Sequence, residues 1–420
     1  MFDAILAPAG FAVRNIANRD PRAPGRHPWR WCVFAFFDVA IRAMPVRGQR
    51  SGTLVVLVNR LGDAIVSRPL VESLRSHYGG DGPFLVLGDE SWRCLSDNLY
   101  ADIPTEFIDE GRYTRSLCYR LAVGHRLRAR NFARAICFMH HRLEMRDDAL
   151  VYVSGAPHTV VSSLPFYHLR WYPWLFDLYL RRMSRIVDAA PAYLDERDQR
   201  PPVGCGYPRR VPHVLDRQRA FAEHLGVALM QRHRPAGRPR NQTVLLNFGA
   251  KDPARRWPIA EWAGLAVSIA ELGYEPCFVG GPAERPALDA VWPTIQAAGA
   301  PDTVAGRIST LVDAVPFAEL VDVFREAAGY IGPDTGTSHL AVHCGTPTLT
   351  ILLRPAAVEE GDRFGDFFPY PDGYLTTPYR CVCITKAEFR RSGPRATVRG
   401  AVLDAFVDLM GEAKARTGRN

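Results

Sequence analysis

The residues best placed for chemistry are Asp334, Thr335 and Gly336, in the run from Tyr330 to Leu352. The run reads as a strand end, a tight polar turn, a short helix, a Gly turn and a second strand. Thr337 and Ser338 can cap the helix that carries His339, Leu340, Ala341 and Val342. Gly345 and Pro347 end it, and Thr348 to Leu353 is a β-rich apolar run. A helix start offers unpaired N–H groups and a positive dipole end, which is a seat for a phosphate. The same residues also suit an ordinary Asp-Thr-Gly turn. Asp63 follows the buried apolar run Thr53 to Leu57 and opens the helix Ala64 to His77. A carboxylate there sits where open α/β sheets bind ligands, and it can equally cap its helix. Asn247-Phe248-Gly249-Ala250, then Lys251 and Arg255-Arg256-Trp257-Pro258, form a third strand-to-helix junction. Gly280-Gly281-Pro282-Ala283-Glu284-Arg285 forms the next.

These stretches, in this order, resemble glycosyltransferase family 9, the heptosyltransferases of lipopolysaccharide synthesis and their relatives. Asp334 to Ala341 with Gly345-Thr346-Pro347 is similar to its nucleotide-sugar motif. Leu61-Gly62-Asp63 with Pro69-Leu70 is similar to its N-terminal motif, and the junctions from Asn247 and from Gly280 to its central donor motif. The resemblance spans roughly Thr53 to Val407. It implies an α/β chain of the GT-B fold, two Rossmann-like domains facing a cleft. It implies inverting, metal-independent transfer of a heptose or related sugar from an ADP-linked nucleotide-diphosphate donor. The implied acceptor is lipid-linked or a core oligosaccharide of the cell envelope, and no cofactor is implied beyond the cosubstrate.

Residue by residue, the resemblance gives Asp63 the place of the general base. Arg255, where relatives carry Lys, stands beside the departing diphosphate with Lys251 and the amides of Thr335 and Gly336. Gly249, Ala250, Glu284 and Asp334 surround the donor, the two acids where ribose and sugar hydroxyls are held. His339 either reaches a phosphate or packs as a core histidine. Relatives often have a basic residue and a Gly where Leu57 and Asn59 stand, so Arg60 is the substitute contact in that loop. Arg60, His140 and His141 are the acceptor-side candidates. If Asp63 only caps, the base lies among His140, His141 and Glu144.

The elements that must position these residues fall into two α/β halves. Strands are expected at 53–57, 83–87, 106–109 and 133–139, with a strand and turn over 151–163. A basic helix is expected over 117–130, and 167–180 is an aromatic and basic stretch suited to sugars or to a half-buried helix. A helix over 215–229 precedes a linker at 231–242 rich in Arg, Pro and Gly. The rhythm restarts at Thr243, with strands at 243–247, 275–280, 329–332 and 348–353. The domains are then an arm over 1–50, an acceptor-side domain over 51–230 and a donor-side domain over 243–420. The last helix, expected over 398–410, can fold back on the first domain.

Composition narrows the partners. The chain has 420 residues, 47% hydrophobic and 23% charged, with a net charge of +8. That balance favours anionic partners, and no nucleic-acid-binding signature accompanies it. No Gly-x-Gly-x-x-Gly or phosphate-loop Gly-Lys-Ser/Thr element appears, which removes the usual support for nicotinamide or ATP readings. No Asp-x-Asp stands beside these turns, so no metal ligands are assigned. The nine cysteines form no spaced framework, from which reduced thiols and a cytoplasmic location are expected. Met1 to Arg50 carries eight arginines around the aromatic run Trp29 to Ile41. It suits either a helix on an anionic inner-membrane surface or one packed on the first domain. Two alternatives to sugar transfer stay open. One is a nucleotide-sugar epimerase on the same fold, and the other a catalytically silent, membrane-associated glycan-binding relative.

Overall fold

The computed structural model describes residues 29–139, 142–162, 178–179, 181–187, 213–229, 241–250, 255–297, 299–354, 377–385 and 396–417. They fall into two compact units, the first holding residues 29–187 and 215–229, the second 213–214 and 241–417.

The first unit is built on a six-stranded sheet: β1 (Ser51–Leu57), β2 (Phe84–Asp89), β3 (Thr105–Ile108), β4 (Phe132–Cys137), β5 (His158–Ser162) and β6 (Arg185–Val187). The order is β3-β2-β1-β4-β5-β6, with every pair parallel. Parallel strands are covered on both faces, so β1 is apolar without alternation, and Leu54 to Leu57 are wholly buried. Around it lie α1 (Trp29–Ala43), α2 (Leu61–Val66), α3 (Leu117–Ala129), α4 (Ala149–Ser154) and α5 (Val214–Leu225, from Leu215 onward in this unit). β1 lies between β2 and β4, so the chain reverses its winding beside β1. In open sheets of this order ligands bind outside the strand ends at that reversal.

The second unit repeats the pattern with β7 (Thr243–Asn247), β8 (Glu275–Val279), β9 (Ser309–Thr310), β10 (Gly329–Pro333), β11 (Thr348–Arg354) and β12 (Tyr379–Thr385). The order is β12-β11-β10-β7-β8-β9, again all parallel, with the reversal between β7 and β10. Its helices include α6 (Ile259–Glu271), α7 (Gly336–Cys344) and α8 (Ala396–Thr417). Trp262, Phe278, Phe406 and Leu409 are buried in one core. Each large side chain so buried contributes about 1.5–3 kcal/mol.

Several expectations change. Residues 149–154 are helical, not extended. The β-prone run Val151-Tyr152-Val153 is overridden by burial within the packed unit, and Gly155, at φ +67°, ends the helix. Thr337 and Ser338 do not cap α7, because Thr335 is the N-cap residue and no side chain caps it. The last helix packs on β11, β12 and α6 of its own unit. Cys383 is disulfide-bonded, while Cys94, Cys118, Cys137 and Cys277 are free thiols, so uniform reduction does not hold. The strand β12 was not foreseen.

α1 packs on α3 and α4. Its Asp38 is buried and accepts from Arg120 Nε at 2.9 Å, Arg120 Nη2 at 2.5 Å and Tyr179 Oη at 2.6 Å. Burial alone would lower the Arg120 pKa, and Tyr113 and Asp38 more than offset it, so the guanidinium stays charged. Residues 1–28 of the expected arm, and 231–240 of the expected linker, lie outside the described residues.

Candidate active site

Asp334 directly follows β10 and Asn247 ends β7, so the two flank the reversal of the second sheet. Asn247 spans it: Oδ1 accepts from the Gly249 amide at 2.8 Å, and Nδ2 donates to Thr337 Oγ1 at 2.7 Å. The turn after β7 and the start of α7 are thereby one assembly. The amides at that start meet no capping side chain, which leaves a positive helix end for an anion. Behind it Tyr330, Thr335, Thr337 and Ser338 join their hydroxyls. Thr335 Oγ1 is 2.8 Å from Thr337 Oγ1, and Tyr330 Oη is 3.0 Å from Thr337 Oγ1 and 3.2 Å from Ser338 Oγ.

Arg255 points at the same turn. Its Nη1 donates to the Asp334 carbonyl at 3.1 Å and lies 3.5 Å from the Asp334 carboxylate. Its side chain is 38% exposed against 13% for Asp334, so the cation faces outward from the acid. Arg256 is exposed and donates to the Ala250 carbonyl at 2.7 Å, an anchor for the loop. Glu284 accepts from the Gly281 amide at 2.9 Å. It lies so close to Gly249 that a Cβ there would meet Glu284 Cγ and Oε1 at 2.5 Å. Gly249, Glu284, Asp334, Thr335, Gly336 and Arg255 therefore all stand on the loops around one sheet reversal. His339 is turned inward on α7, and burial lowers its pKa to about 3. It is a neutral helix histidine, not a phosphate-facing cation. Lys251 lies outside the described residues.

In the first unit Asp63 sits in the first turn of α2, at the carboxyl end of β1, and is partly exposed. Its Oδ2 accepts from the Arg60 amide at 3.2 Å, so the capping role is present. Arg60 is 63% exposed and lies 3.5 Å from Glu110. His140 and His141 lie outside the described residues.

Sequence reading missed a buried network in that unit. After β4 the chain makes a π turn over Glu144–Asp148, a form often found at functional sites. Arg146 on this turn donates to Asn59 Oδ1 at 3.2 Å, pairs with Asp147 at 2.8 Å and with Glu110 at 2.6 Å. Asn59 and Arg60 thus bind the π turn and its neighbour Glu110, and together they frame the loop that leads to Asp63. Glu144 on the same turn has its pKa pushed up to about 8, mainly by burial. The charged run Arg142 to Asp148, directly after an apolar strand, was the available signal. Among the described residues no group of three His, Cys, Asp or Glu side chains is arranged to hold a metal.

Residues 215–353 match the family model glycosyltransferase family 9 (heptosyltransferase). The match indicates a glycosyltransferase. It takes in the loops of Gly249, Arg255, Glu284 and Asp334. No curated protein matches the chain. A family 9 glycosyltransferase structure from Veillonella parvula is similar at 18% identity and TM-score 0.58, covering 88% of this chain and 100% of its own. The Escherichia coli ADP-heptose lipopolysaccharide heptosyltransferase II is similar at 17% and 0.58, covering 86% and 99%. The Escherichia coli heptosyltransferase WaaC with ADP is similar at 17% and 0.55, covering 85% and 99%. These likenesses show the fold: an α/β chain of two parallel-sheet units, matching the GT-B heptosyltransferase structures.

Proposed function

We propose that this protein is an inverting, metal-independent glycosyltransferase. It moves a heptose or related sugar from an ADP-linked donor to a lipopolysaccharide or other cell-envelope glycan. The observation that carries the reading is the uncapped start of α7 beside Arg255, with Glu284 and Asp334 on the neighbouring turns. A helix end and a guanidinium suit a diphosphate, and the two carboxylates suit hydroxyls. The solved structures of WaaC hold ADP or ADP-2-deoxy-2-fluoro heptose, which favours adenine on the donor here.

In this mechanism the Asp63 carboxylate takes the acceptor hydroxyl proton, and the oxygen attacks the anomeric carbon from the face opposite the leaving group. The bond from that carbon to the diphosphate breaks, and its electron pair leaves with the nucleotide diphosphate. Arg255 and the amides of Thr335 and Gly336 stabilise the charge that develops there. Arg60 is an acceptor-side contact. The enzyme works on the cytoplasmic side of the inner membrane, where a nucleotide-sugar donor and a lipid-anchored acceptor meet.

A donor screen tests the reading, using ADP- and UDP-linked sugars, envelope lipid extract as acceptor, and EDTA-treated enzyme. Transfer from an ADP-sugar with inverted anomeric configuration is the expected result. Conversion of a nucleotide sugar without acceptor would mark an epimerase. Absence of both ADP and UDP binding by calorimetry would mark a silent relative.

A further inference from the structure

The outward face of α1 carries an unbroken apolar stripe. Phe36 is 68% exposed, Val39 38% and Met44 41%, and Ala40 and Ala43 between them are exposed too. The spacing keeps Phe36, Val39, Ala40 and Ala43 on one side of the helix, opposite the buried Phe34, Ala35, Asp38 and Ile41, and Met44 follows directly after its last residue. The stripe is not a product of a loosely attached helix, because Asp38 fastens α1 through Arg120 and Tyr179.

At Met44 the stripe runs into a group of arginines. Arg42 Nη1 donates to the Tyr152 carbonyl at 2.6 Å, and Arg128 Nη2 to the Met44 carbonyl at 2.8 Å. Arg50 donates to the Gly155 carbonyl, and Arg182 to the Leu178 carbonyl at 3.1 Å. Arg42 and Arg182 both lie over the Tyr152 ring, at 4.6 and 6.0 Å. Arg128 packs against Gly155, and its Nε and Nη1 are buried with no hydrogen-bond partner. Main-chain carbonyls do not neutralise these groups, and among the described residues none of the four is in an ion pair. Burial first, and then their mutual repulsion, lowers the pKa of Arg42 and Arg128, a sign of cations crowded without anions. Arg47 stands exposed on the adjoining segment.

We propose that the outer face of α1 and the arginines at its end dock this unit on the surface of an anionic lipid bilayer. An apolar stripe with cations at one end matches the boundary between acyl chains and phosphate headgroups. No helix of the described residues is long and apolar enough to cross a membrane, so the mode is lying on the surface. The charge favours lipid over a second copy of the chain, since two such faces would bring their arginines together. This inference does not depend on the sugar-transfer reading.

The test is co-sedimentation of the full chain with vesicles of phosphatidylcholine containing 30% phosphatidylglycerol, on the order of a cellular anionic surface. Vesicles of phosphatidylcholine alone and inorganic phosphate in calorimetry are the controls. We expect binding to the anionic vesicles that weakens with salt. Phe36→Ser/Val39→Ser and, separately, Arg50→Glu/Arg182→Glu should each lower the partition coefficient by about tenfold or more. The exposed positions leave circular dichroism and ADP binding unchanged. Unaltered partition in both variants would overturn the proposal. So would a wild-type dimer that the Phe36→Ser/Val39→Ser change converts to monomer while vesicle binding persists. Binding of inorganic phosphate as strong as that of the vesicles would assign the arginines to a soluble anion and overturn it as well.

Discussion

One nitrogen of Arg255, Nη1, reaches both the carbonyl of Asp334, at 3.1 Å, and its carboxylate, at 3.5 Å. The acid orients the guanidinium, which is the more exposed of the two. Arg255→Ala should weaken ADP binding by roughly tenfold or more, the loss of one charge-assisted contact. Arg255→Lys should recover only part of it, because a point charge cannot hold carbonyl and phosphate in one plane. Calorimetry with ADP on folded variants is the measurement, and equal affinity for wild type and Ala would remove Arg255 from the donor site. Asp334→Ala should lower transfer strongly with little change in thermal stability, since the turn is partly exposed.

Asp63→Asn separates capping from proton transfer. Asn caps about as well as Asp, so the melting temperature should hardly move. A neutral amide takes no proton, so single-turnover transfer should fall by roughly two to four orders of magnitude. ADP binding measured on the same preparation should be unchanged. Surviving transfer would leave Asp63 as a cap for Arg60 only. Collapse of ADP binding would instead make it a donor-site residue.

Arg146 is charged, almost fully buried and bound to Asn59, Asp147 and Glu110. Arg146→Met should cost about 3–5 kcal/mol in denaturant unfolding, because it strands buried carboxylates. Arg146→Met with Asp147→Leu should cost less than the single change. A double variant no more stable than the single would show that Glu110 or Asn59 dominates the site.

Glu144 makes a pH prediction. Its carboxyl is held protonated to about pH 8, against 4.5 for the unfolded group. Between those values the folded chain binds more protons than the unfolded one, so this group's contribution to stability falls as pH rises from 4.5 to 8. Glu144→Gln should flatten that part of the stability profile. His339 acts at the other end: its folded pKa of about 3 lies below 6.5, so its contribution is lost as pH falls from 6.5 towards 3. A Glu144→Gln profile parallel to wild type across the window would contradict the assignment.

Legibility in the sequence followed the range of the interactions. β1 and β10 could be read because burial on both faces leaves a local apolar run. The turns after β7, β8 and β10 could be read because Gly249, Arg255, Glu284 and Asp334 each sit at a strand-to-helix junction with its own local signature. α4 was misread, since Val151-Tyr152-Val153 carries β propensity that burial in the unit overrides. β12 was missed because Arg380 and Thr385 leave only a short apolar run between them. The Arg146 network was out of reach, because Asn59 and Glu110 lie 87 and 36 residues away and nothing local couples them. His339 was left open, and only the packing of α7 decides that its ring faces inward.

The hydroxyls behind α7 have one more property. In the contacts of Thr337 with Tyr330 and with Thr335 either oxygen can be the donor, while Ser338 can only accept from Tyr330. Two of the outer anchors have a fixed direction: Ser338 donates to the Pro333 carbonyl at 2.5 Å, and Asn247 donates to Thr337. Between them the protons can swing from one arrangement to another while every heavy atom stays in place. The base of the turn is therefore locally polarisable. Its O–H dipoles can reorient in place, so a change in the local field there can be answered without any conformational change of the chain.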